Sequence, residues 1–88
     1  MPQYLRLLMV SGPPDEVEAT EKDHAEHLER LRESGKLRLA GVFVNGDGYC
    51  EILEVEDRHE AERLTRECPL VERGLVSWIL REWKERAG

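Results

Sequence analysis

Apolar side chains occupy both faces of the first and last strand-like segments of this chain. In residues 3–10, one face carries Tyr4, Arg6, Leu8 and Val10, and the other carries Leu5, Leu7 and Met9. In residues 74–83, one face carries Val76, Trp78 and Leu80, and the other carries Leu75, Ile79 and Trp83. Because side chains alternate between the faces of a strand, a sheet built from these segments needs cover on both faces.

The segments follow the order β-α-β-β-α-β. Alternation and branched or aromatic residues predict strands over residues 3–10, 36–44, 49–56 and 74–83. A first helix is expected to run to Ser34 and to end at Gly35, and a second to run from an Asp57–Glu60 capping box to Pro69. The turn Asn45–Gly48 joins the two middle strands as a hairpin.

This order predicts a ferredoxin-like α+β fold in a single domain over residues 1–88, with a four-stranded antiparallel sheet and two helices on one face. Two helices can cover only one face of such a sheet. The second apolar face is therefore expected to pack against another copy of the chain, which predicts a homodimer joined through its sheet faces. A monomer that leaves this face open is the alternative.

Charge and hydropathy exclude several classes of protein. The chain has 13 Lys and Arg against 19 Asp and Glu, a net charge of −6, which argues against binding to a nucleic-acid backbone. Its longest apolar run, Leu39–Val44, is far shorter than the roughly 20 residues of a membrane-spanning helix. Two cysteines, Cys50 and Cys68, are too few for a disulfide scaffold, so a cytoplasmic protein is expected.

His24 lies at the centre of the stripe by which the first helix is expected to face the sheet. At 100° per residue it lies within about 40° of Val17, Leu28 and Leu31. A buried imidazole needs partners for both ring nitrogens, and burial lowers its pKa. The sequence therefore predicts a buried, neutral His24 that could act as a catalytic base. A hydrogen-bonded core histidine without chemistry is the alternative.

Tyr4, His27, Glu51 and Cys68 are the further residues predicted to line a pocket. His27 lies three residues after His24, at the edge of the same stripe, but no further metal ligands can be named, so no metal site is predicted. For Tyr4 the alternative is packing in the core or at an interface, and for Cys68 it is that of a small buried apolar residue.

Glu51 and Glu54 lie on opposite faces of the third strand, so only one of them can face the helices. Most other carboxylates fall on the outer faces of the helices, where solvation is the ordinary interpretation.

The order and spacing of several short motifs resemble the YCII-related (YciI-like) family from about Tyr4 to Trp83. The residues that carry this resemblance are His24, Gly35, Leu37, Ala40-Gly41, Glu60-Ala61, Pro69, Gly74-Leu75 and Trp83. The resemblance implies a dimeric α+β barrel with a small-molecule cavity and a His/Asp-centred active site. His24 matches the family histidine by its spacing to Gly35.

The chain departs from this family at the residue before Pro69, which is Cys68 where the family commonly has Asp. If that Asp is a catalytic partner, then Asp23, Glu51 or Cys68 has to replace it, or the chemistry is lost. A weaker resemblance to muconolactone isomerases rests on Arg30-Leu31-Arg32 before Gly35, on Tyr49, and on Pro69-Leu70.

The resulting prediction is a YciI-like small-molecule enzyme with lyase, dehalogenase-like or isomerase proton chemistry, in which His24 is the general acid or base. Nothing in the sequence calls for a cofactor. A non-catalytic dimeric module that binds a ligand or serves a structural role is the alternative. A haem-degrading oxygenase of the same fold would need an iron-ligating histidine in a larger cavity. Whether a cavity reaches His24 distinguishes an enzyme from a scaffold.

Overall fold

A computed structural model describes residues 1–86 of the chain. Its elements are β1 (Gln3–Val10), α1 (Pro14–Glu33), β2 (Leu37–Val42), β3 (Gly48–Glu54), α2 (Arg58–Arg66), α3 (Pro69–Glu72) and β4 (Val76–Trp83). The strands form one antiparallel sheet in the order β2-β3-β1-β4, which confirms the predicted α+β, ferredoxin-like fold. Within residues 1–86, no helix is both long and apolar enough to cross a membrane.

Glycine and proline set the limits of α1 as the sequence predicts. Pro14 occupies the first turn, where its missing N–H leaves no helical hydrogen bond unmade. Gly35 adopts φ +75°, and the N–H of Lys36 returns to the carbonyl of Leu31 at 2.8 Å. The chain therefore leaves α1 in a left-handed turn that delivers it directly to β2.

The second helical region differs from the prediction in one respect. Asp57 caps α2 by accepting from the N–H of Glu60 at 2.9 Å, while the Glu60 carboxylate accepts from the N–H of Glu56 at 2.9 Å. Pro69 ends this region as expected, but it also occupies the first turn of the short helix α3, which was not predicted. Because proline is favoured at the start of a helix, the same residue can stop one helix and begin another.

One face of the sheet packs against the helices. Tyr4, Arg6 and Leu8 of β1 point to this inner face and are buried. Leu75 was expected on the opposite face of the last strand, and this was wrong. Leu75 precedes β4, which begins at Val76, and it is buried in the core together with Leu8.

The other face of the sheet, here called the outer face, carries an apolar surface. Cross-strand pairing places Leu7 of β1 opposite Cys50 of β3 and Ile79 of β4. Ile79 is 51% exposed, and Trp83 at the end of β4 is 41% exposed. The described helices thus leave the outer face open, as the alternation of apolar residues predicts.

Candidate active site

Five side chains from four parts of the fold meet between α1 and the sheet. Arg6 comes from β1, His24 and His27 from α1, Glu51 from β3, and Cys68 from the residue that precedes α3. All five are buried. We refer to these five residues as the His24 cluster.

An ion pair between neighbouring strands forms the base of the cluster. Arg6 and Glu51 are direct cross-strand partners, and the Arg6 Nε donates to Glu51 Oε1 at 2.8 Å. Both side chains are fully buried. A buried charge is tolerated only when it is paired, so each of these residues explains the presence of the other.

His24 contacts a different group with each of its ring nitrogens. Its Nδ1 lies 3.5 Å from Cys68 Sγ, and its Nε2 lies 3.5 Å from Glu51 Oε2. The second contact has ion-pair distance but lacks hydrogen-bond geometry. Among residues 1–86, the buried side-chain atoms without a hydrogen-bond partner are His24 Nε2, Glu51 Oε2 and Arg6 Nη2.

These contacts set the charge of His24. Burial lowers its pKa, but the contacts with Cys68 and Glu51 outweigh burial and raise the pKa to about 9. For Glu51, burial raises the pKa, but the nearby His24 and Arg6 lower it overall. At neutral pH the pair is therefore an imidazolium beside a carboxylate. The prediction of a neutral His24 was wrong, because it considered burial without the partners that the fold supplies.

The second histidine of α1, His27, has a lowered pKa, in contrast to His24. Burial and the adjacent charge of Arg6 lower the pKa of His27 to about 4. Arg6 Nη1 lies 3.4 Å from His27 Nε2. Since a guanidinium can only donate, His27 accepts through Nε2 and is the neutral Nδ1–H tautomer.

Cys68 is a free thiol enclosed within the core. Burial raises its pKa, but His24 and Arg6 outweigh this effect and lower it. The two neighbouring cations therefore determine the direction of the shift. In the part of the chain that the structure describes, no three His, Cys, Asp or Glu side chains form a group suited to a metal ion.

A cavity of about 210 Å³ reaches the cluster between α1 and the β2–β3 edge of the sheet. We call it the inner cavity. Its polar lining consists of Glu21, His24, Tyr49 and Glu51. Its apolar lining consists of Ala25, Leu28, Ala40, Gly41 and Val42. His24 and Glu51 are thus buried from bulk solvent yet face an open space.

Tyr49 and Glu21 lie at the boundary between the inner cavity and a larger opening. Tyr49 Oη donates to Glu21 Oε2 at 2.6 Å, and its ring packs edge-on against His24 with centroids 4.8 Å apart. Burial and the contact with Glu21 raise the pKa of Tyr49. Glu21, Val42 and Tyr49 also line a second cavity of about 470 Å³, here called the vestibule, which extends to the hairpin between β2 and β3.

The structure brings some of the predicted site residues together and separates others. His24 and Glu51 line the inner cavity, whereas His27 and Cys68 contact the cluster from behind without lining this cavity. Tyr4 lies elsewhere: it packs in the core beside Leu53, and its hydroxyl lies 3.5 Å from Glu82. Tyr4 therefore does not line the inner cavity, because it lies two positions before Arg6 on β1 and its side chain packs outside the His24 cluster.

Three polar residues of the site, Arg6, Glu21 and Tyr49, were not predicted. Arg6 stands in the middle of the apolar face of β1, and a charge at such a position signals a buried partner on a neighbouring strand. Tyr49 shares the inner face of β3 with Glu51 because the two are separated by two positions.

Comparisons with known proteins agree with this fold. A family model described as the YCII-related domain matches residues 3–84, so the chain belongs to the YCII-related family. The uncharacterized protein YjpA of Bacillus subtilis (strain 168) is 31% identical over 61 residues, which span 69% of this chain and 72% of that protein.

A solved structure has the same fold at low sequence identity. It is the 5-chloro-2-hydroxyhydroquinone dehydrochlorinase (TftG) from Burkholderia phenoliruptrix AC1100, in complex with 2,5-dihydroxybenzoquinone. The TM-score is 0.80 at 19% identity, and the match covers 94% of this chain and 95% of that one. At this identity the likeness shows the fold alone.

Proposed function

We propose that this member of the YCII-related family is an enzyme that moves a proton on a small molecule held in the inner cavity, with His24 as the proton carrier. The observation that supports it best is that His24 and Glu51, which carry the unpartnered buried atoms Nε2 and Oε2, both line a cavity. A core histidine with a purely structural role would have both ring nitrogens hydrogen-bonded. The structural neighbour, a dehydrochlorinase, fits a small-molecule enzyme of this fold.

The charge of His24 determines which half of the proton transfer comes first. With a pKa of about 9, the imidazolium donates its Nε2 proton to an oxygen or leaving group of the ligand. The neutral imidazole then removes a proton from a neighbouring carbon, which restores the starting state. Proton transfer between two positions of the ligand gives isomerisation, and loss of the protonated leaving group gives elimination, so the proposed class is an isomerase or lyase.

Glu51 and Arg6 position the proton carrier in this proposal. Glu51 accepts from Arg6 through Oε1, so its Oε2 is held facing His24. The carboxylate stabilises the cationic form of His24, and Arg6 keeps the carboxylate ionised in the core. Cys68 contacts Nδ1, which leaves Nε2 as the reactive atom in this proposal.

The first test is an NMR titration of the ring nitrogens of His24, assigned with the variant His24→Gln. We expect His24 to remain protonated from pH 6 to pH 8 and to titrate near pH 9. The second test follows the exchange of carbon-bound protons of dihydroxyacetone in heavy water. His24→Gln should abolish catalysed exchange, whereas His59→Gln, on the exposed start of α2, should retain it. A His24 locked in one neutral tautomer, with no catalysed exchange, would contradict the proposal.

A non-catalytic module that binds a ligand or stabilises a dimer is the second candidate. It is favoured by Cys68, which stands where the family commonly has Asp and which is sealed from the inner cavity. In that case His24→Gln should lower the free energy of unfolding while ligands still bind with unchanged affinity.

We also propose that the chain forms a homodimer through the outer face of its sheet. Leu7, Ile79 and Trp83 belong to an apolar surface that the described helices do not cover. A concave region of about 550 Å³ lies on this face between Leu7, Met9 and the hairpin residues Phe43 and Val44. Asn45 and Asp47 also line this shallow region, and its mostly apolar surface suits a protein surface that is itself apolar, such as the same face of a second copy.

Light scattering coupled to size exclusion tests the dimer. Ile79→Lys places a charge at the centre of β4 on the outer face and should give a monomer. Arg66→Glu reverses an exposed charge on α2 and should leave the dimer intact. A wild-type chain that elutes as a monomer at micromolar concentration would contradict this proposal without affecting the one for His24.

A further inference from the structure

The three unpartnered buried atoms of the His24 cluster are chemically complementary. Within residues 1–86 they are Glu51 Oε2, His24 Nε2 and Arg6 Nη2. An ionised carboxylate can only accept a hydrogen bond, whereas a guanidinium and an imidazolium can only donate. The cluster therefore holds one free acceptor and two free donors. Because an unpaired polar group is costly in a protein core, we expect the acceptor to pair with one of these donors.

Arg6 already binds the other oxygen of the same carboxylate. Its Nε donates to Glu51 Oε1 at 2.8 Å. A guanidinium is planar and presents Nε and Nη2 side by side, at a spacing that matches the two oxygens of a carboxylate. Nη2 and Oε2 are therefore the unmade half of a two-bond Arg–Glu pair. A turn of the carboxylate about its last bond completes the pair, and this terminal torsion of glutamate is soft.

His24 offers the second donor from another direction. Its Nε2 lies 3.5 Å from Glu51 Oε2, without hydrogen-bond geometry. The strand of Arg6, β1, lies beside β3 in the sheet, whereas α1 packs over the inner face. Arg6 and His24 therefore approach Glu51 from different sides, and a carboxylate that turns toward one turns away from the other. Once Nε2 has given up its proton, its lone pair faces Oε2 and repels it.

His27 holds the guanidinium at its far end. Arg6 Nη1 lies 3.4 Å from His27 Nε2, and His27 is neutral and accepts. Nε and Nη1 of Arg6 are thus both engaged, one with the carboxylate and one with the imidazole. The guanidinium stays in place while the carboxylate turns, and Nη2 remains beside Oε2.

We propose that Arg6 is the second partner of Glu51 Oε2: this oxygen faces His24 Nε2 while Nε2 carries a proton, and it turns to accept from Arg6 Nη2 when the proton leaves. The inference rests on the proposed function, because it makes Arg6 a positioning residue for proton transfer at His24. Without a second partner, each transfer would leave a buried carboxylate oxygen unpaired. With it, His24 loses and regains its proton at little cost to the core.

Titratable and charged groups face His24 from each element that packs against it. They are Arg6 of β1, His27 of α1, Tyr49 and Glu51 of β3, and Cys68 before α3. His27 has a lowered pKa and Tyr49 a raised one, so both stay neutral from pH 7 to pH 10. Cys68 has a lowered pKa and contacts Nδ1 of His24, so its titration has to be separated from that of His24.

The test follows the ¹⁵N signals of the Arg6 guanidinium and of the His24 ring by NMR from pH 7 to pH 10.5. We expect the Arg6 Nη2 signal to shift with the same midpoint as the loss of the Nε2 proton of His24. In Cys68→Ala, which removes the contact at Nδ1, the two midpoints should move together. A joint shift in this variant excludes titration of the thiol as its cause.

Two variants test the competition between the donors. His24→Leu removes the ring donor, so at pH 7 its Arg6 Nη2 signal should already lie where the wild-type signal lies at high pH. Arg6→Lys keeps the positive charge but lacks the paired donors of a guanidinium. The neutral state of His24 then loses its support, so the midpoint of His24 should rise by about one pH unit. Arg66→Lys, on the exposed side of α2, is the matched control and should not change it.

The outcomes separate this inference from the proposed function. A constant Arg6 Nη2 signal while Nε2 of His24 loses its proton overturns the turning carboxylate and leaves the proton carrier intact. An unchanged His24 midpoint in Arg6→Lys means that Arg6 acts by its charge alone, which also overturns the inference. If Arg6 and His24 titrate together but the chain catalyses no exchange of carbon-bound protons, the inference stands and the proposed function fails. If neutral His24 keeps its proton on Nε2, both fail.

Discussion

Replacing Arg6 with Met is expected to lower the free energy of unfolding by about 3 kcal/mol. Arg6 is fully buried, and its main role in the structure is to neutralise Glu51 at 2.8 Å. Removing one partner of a buried ion pair costs about 3–5 kcal/mol, because the other charge stays buried without compensation. The low end applies here, since the imidazolium of His24 still lies 3.5 Å from the Glu51 carboxylate.

Such a loss is large for a chain of this size. At roughly 0.05–0.15 kcal/mol per residue, 88 residues give a total stability of about 4–13 kcal/mol. A cost of about 3 kcal/mol should lower Tm by roughly 12–24 °C in a domain this small. Urea and thermal unfolding followed by circular dichroism at pH 7 measure both quantities. Arg66→Met, on the exposed side of α2, is the matched control and should cost less than about 0.5 kcal/mol.

A double-mutant cycle separates the ion pair from the packing of the Arg6 side chain. Glu51→Gln alone leaves Arg6 unpaired, whereas Arg6→Met/Glu51→Gln leaves neither charge behind. The double variant should therefore lose at least about 1 kcal/mol less than the sum of the single variants. The reasoning is refuted if the two effects add, or if Arg6→Met costs no more than Arg66→Met.

Three further predictions concern the pKa values and the cap of α2. The folded state holds the pKa of His27 at about 4, so unfolding takes up a proton as pH falls from 6.5 to 4 and the wild-type chain should lose about 2–3 kcal/mol of stability. His27→Gln should remove this loss, and urea midpoints measured across the same pH range test it. Cys68→Ala removes a contact that raises the pKa of His24, so NMR should show His24 titrating below pH 9. Cys50→Ala, on the outer face, should leave the pKa of His24 unchanged. Asp57→Ala should lower the free energy of unfolding by about 1 kcal/mol in urea titrations, because α2 loses its capping oxygen; an unchanged midpoint would contradict this role.

The backbone of this fold follows closely from local sequence signals. β1 has the predicted bounds because alternation and the prolines after it act over short distances. The end of α1 follows from Gly35, which adopts the positive φ that glycine tolerates. The helix α3 was missed because Pro69 was interpreted only as a stop signal, although the residues that follow it could form one more helical turn.

The site was predictable only in part. Helical spacing alone places His24 against the sheet, and strand alternation limits the choice on β3 to Glu51 or Glu54. The charge state of His24 depends on Cys68, 44 residues away in the chain, and on a carboxylate oriented by Arg6. Neither contact leaves a periodic pattern in the sequence, so only burial could be considered. Burial alone predicts a lowered pKa for His24, which is the wrong direction.

The residue before Pro69 has a different meaning once these contacts are known. A family Asp at this position would place its carboxylate near Nδ1 of His24, because Cys68 Sγ lies 3.5 Å from that nitrogen. In this chain the carboxylate comes instead from Glu51, on the side of Nε2. Loss of the Asp therefore does not leave the imidazolium without a counter-ion. The negative charge lies instead beside Nε2, where it raises the pKa of His24 and favours its cationic form.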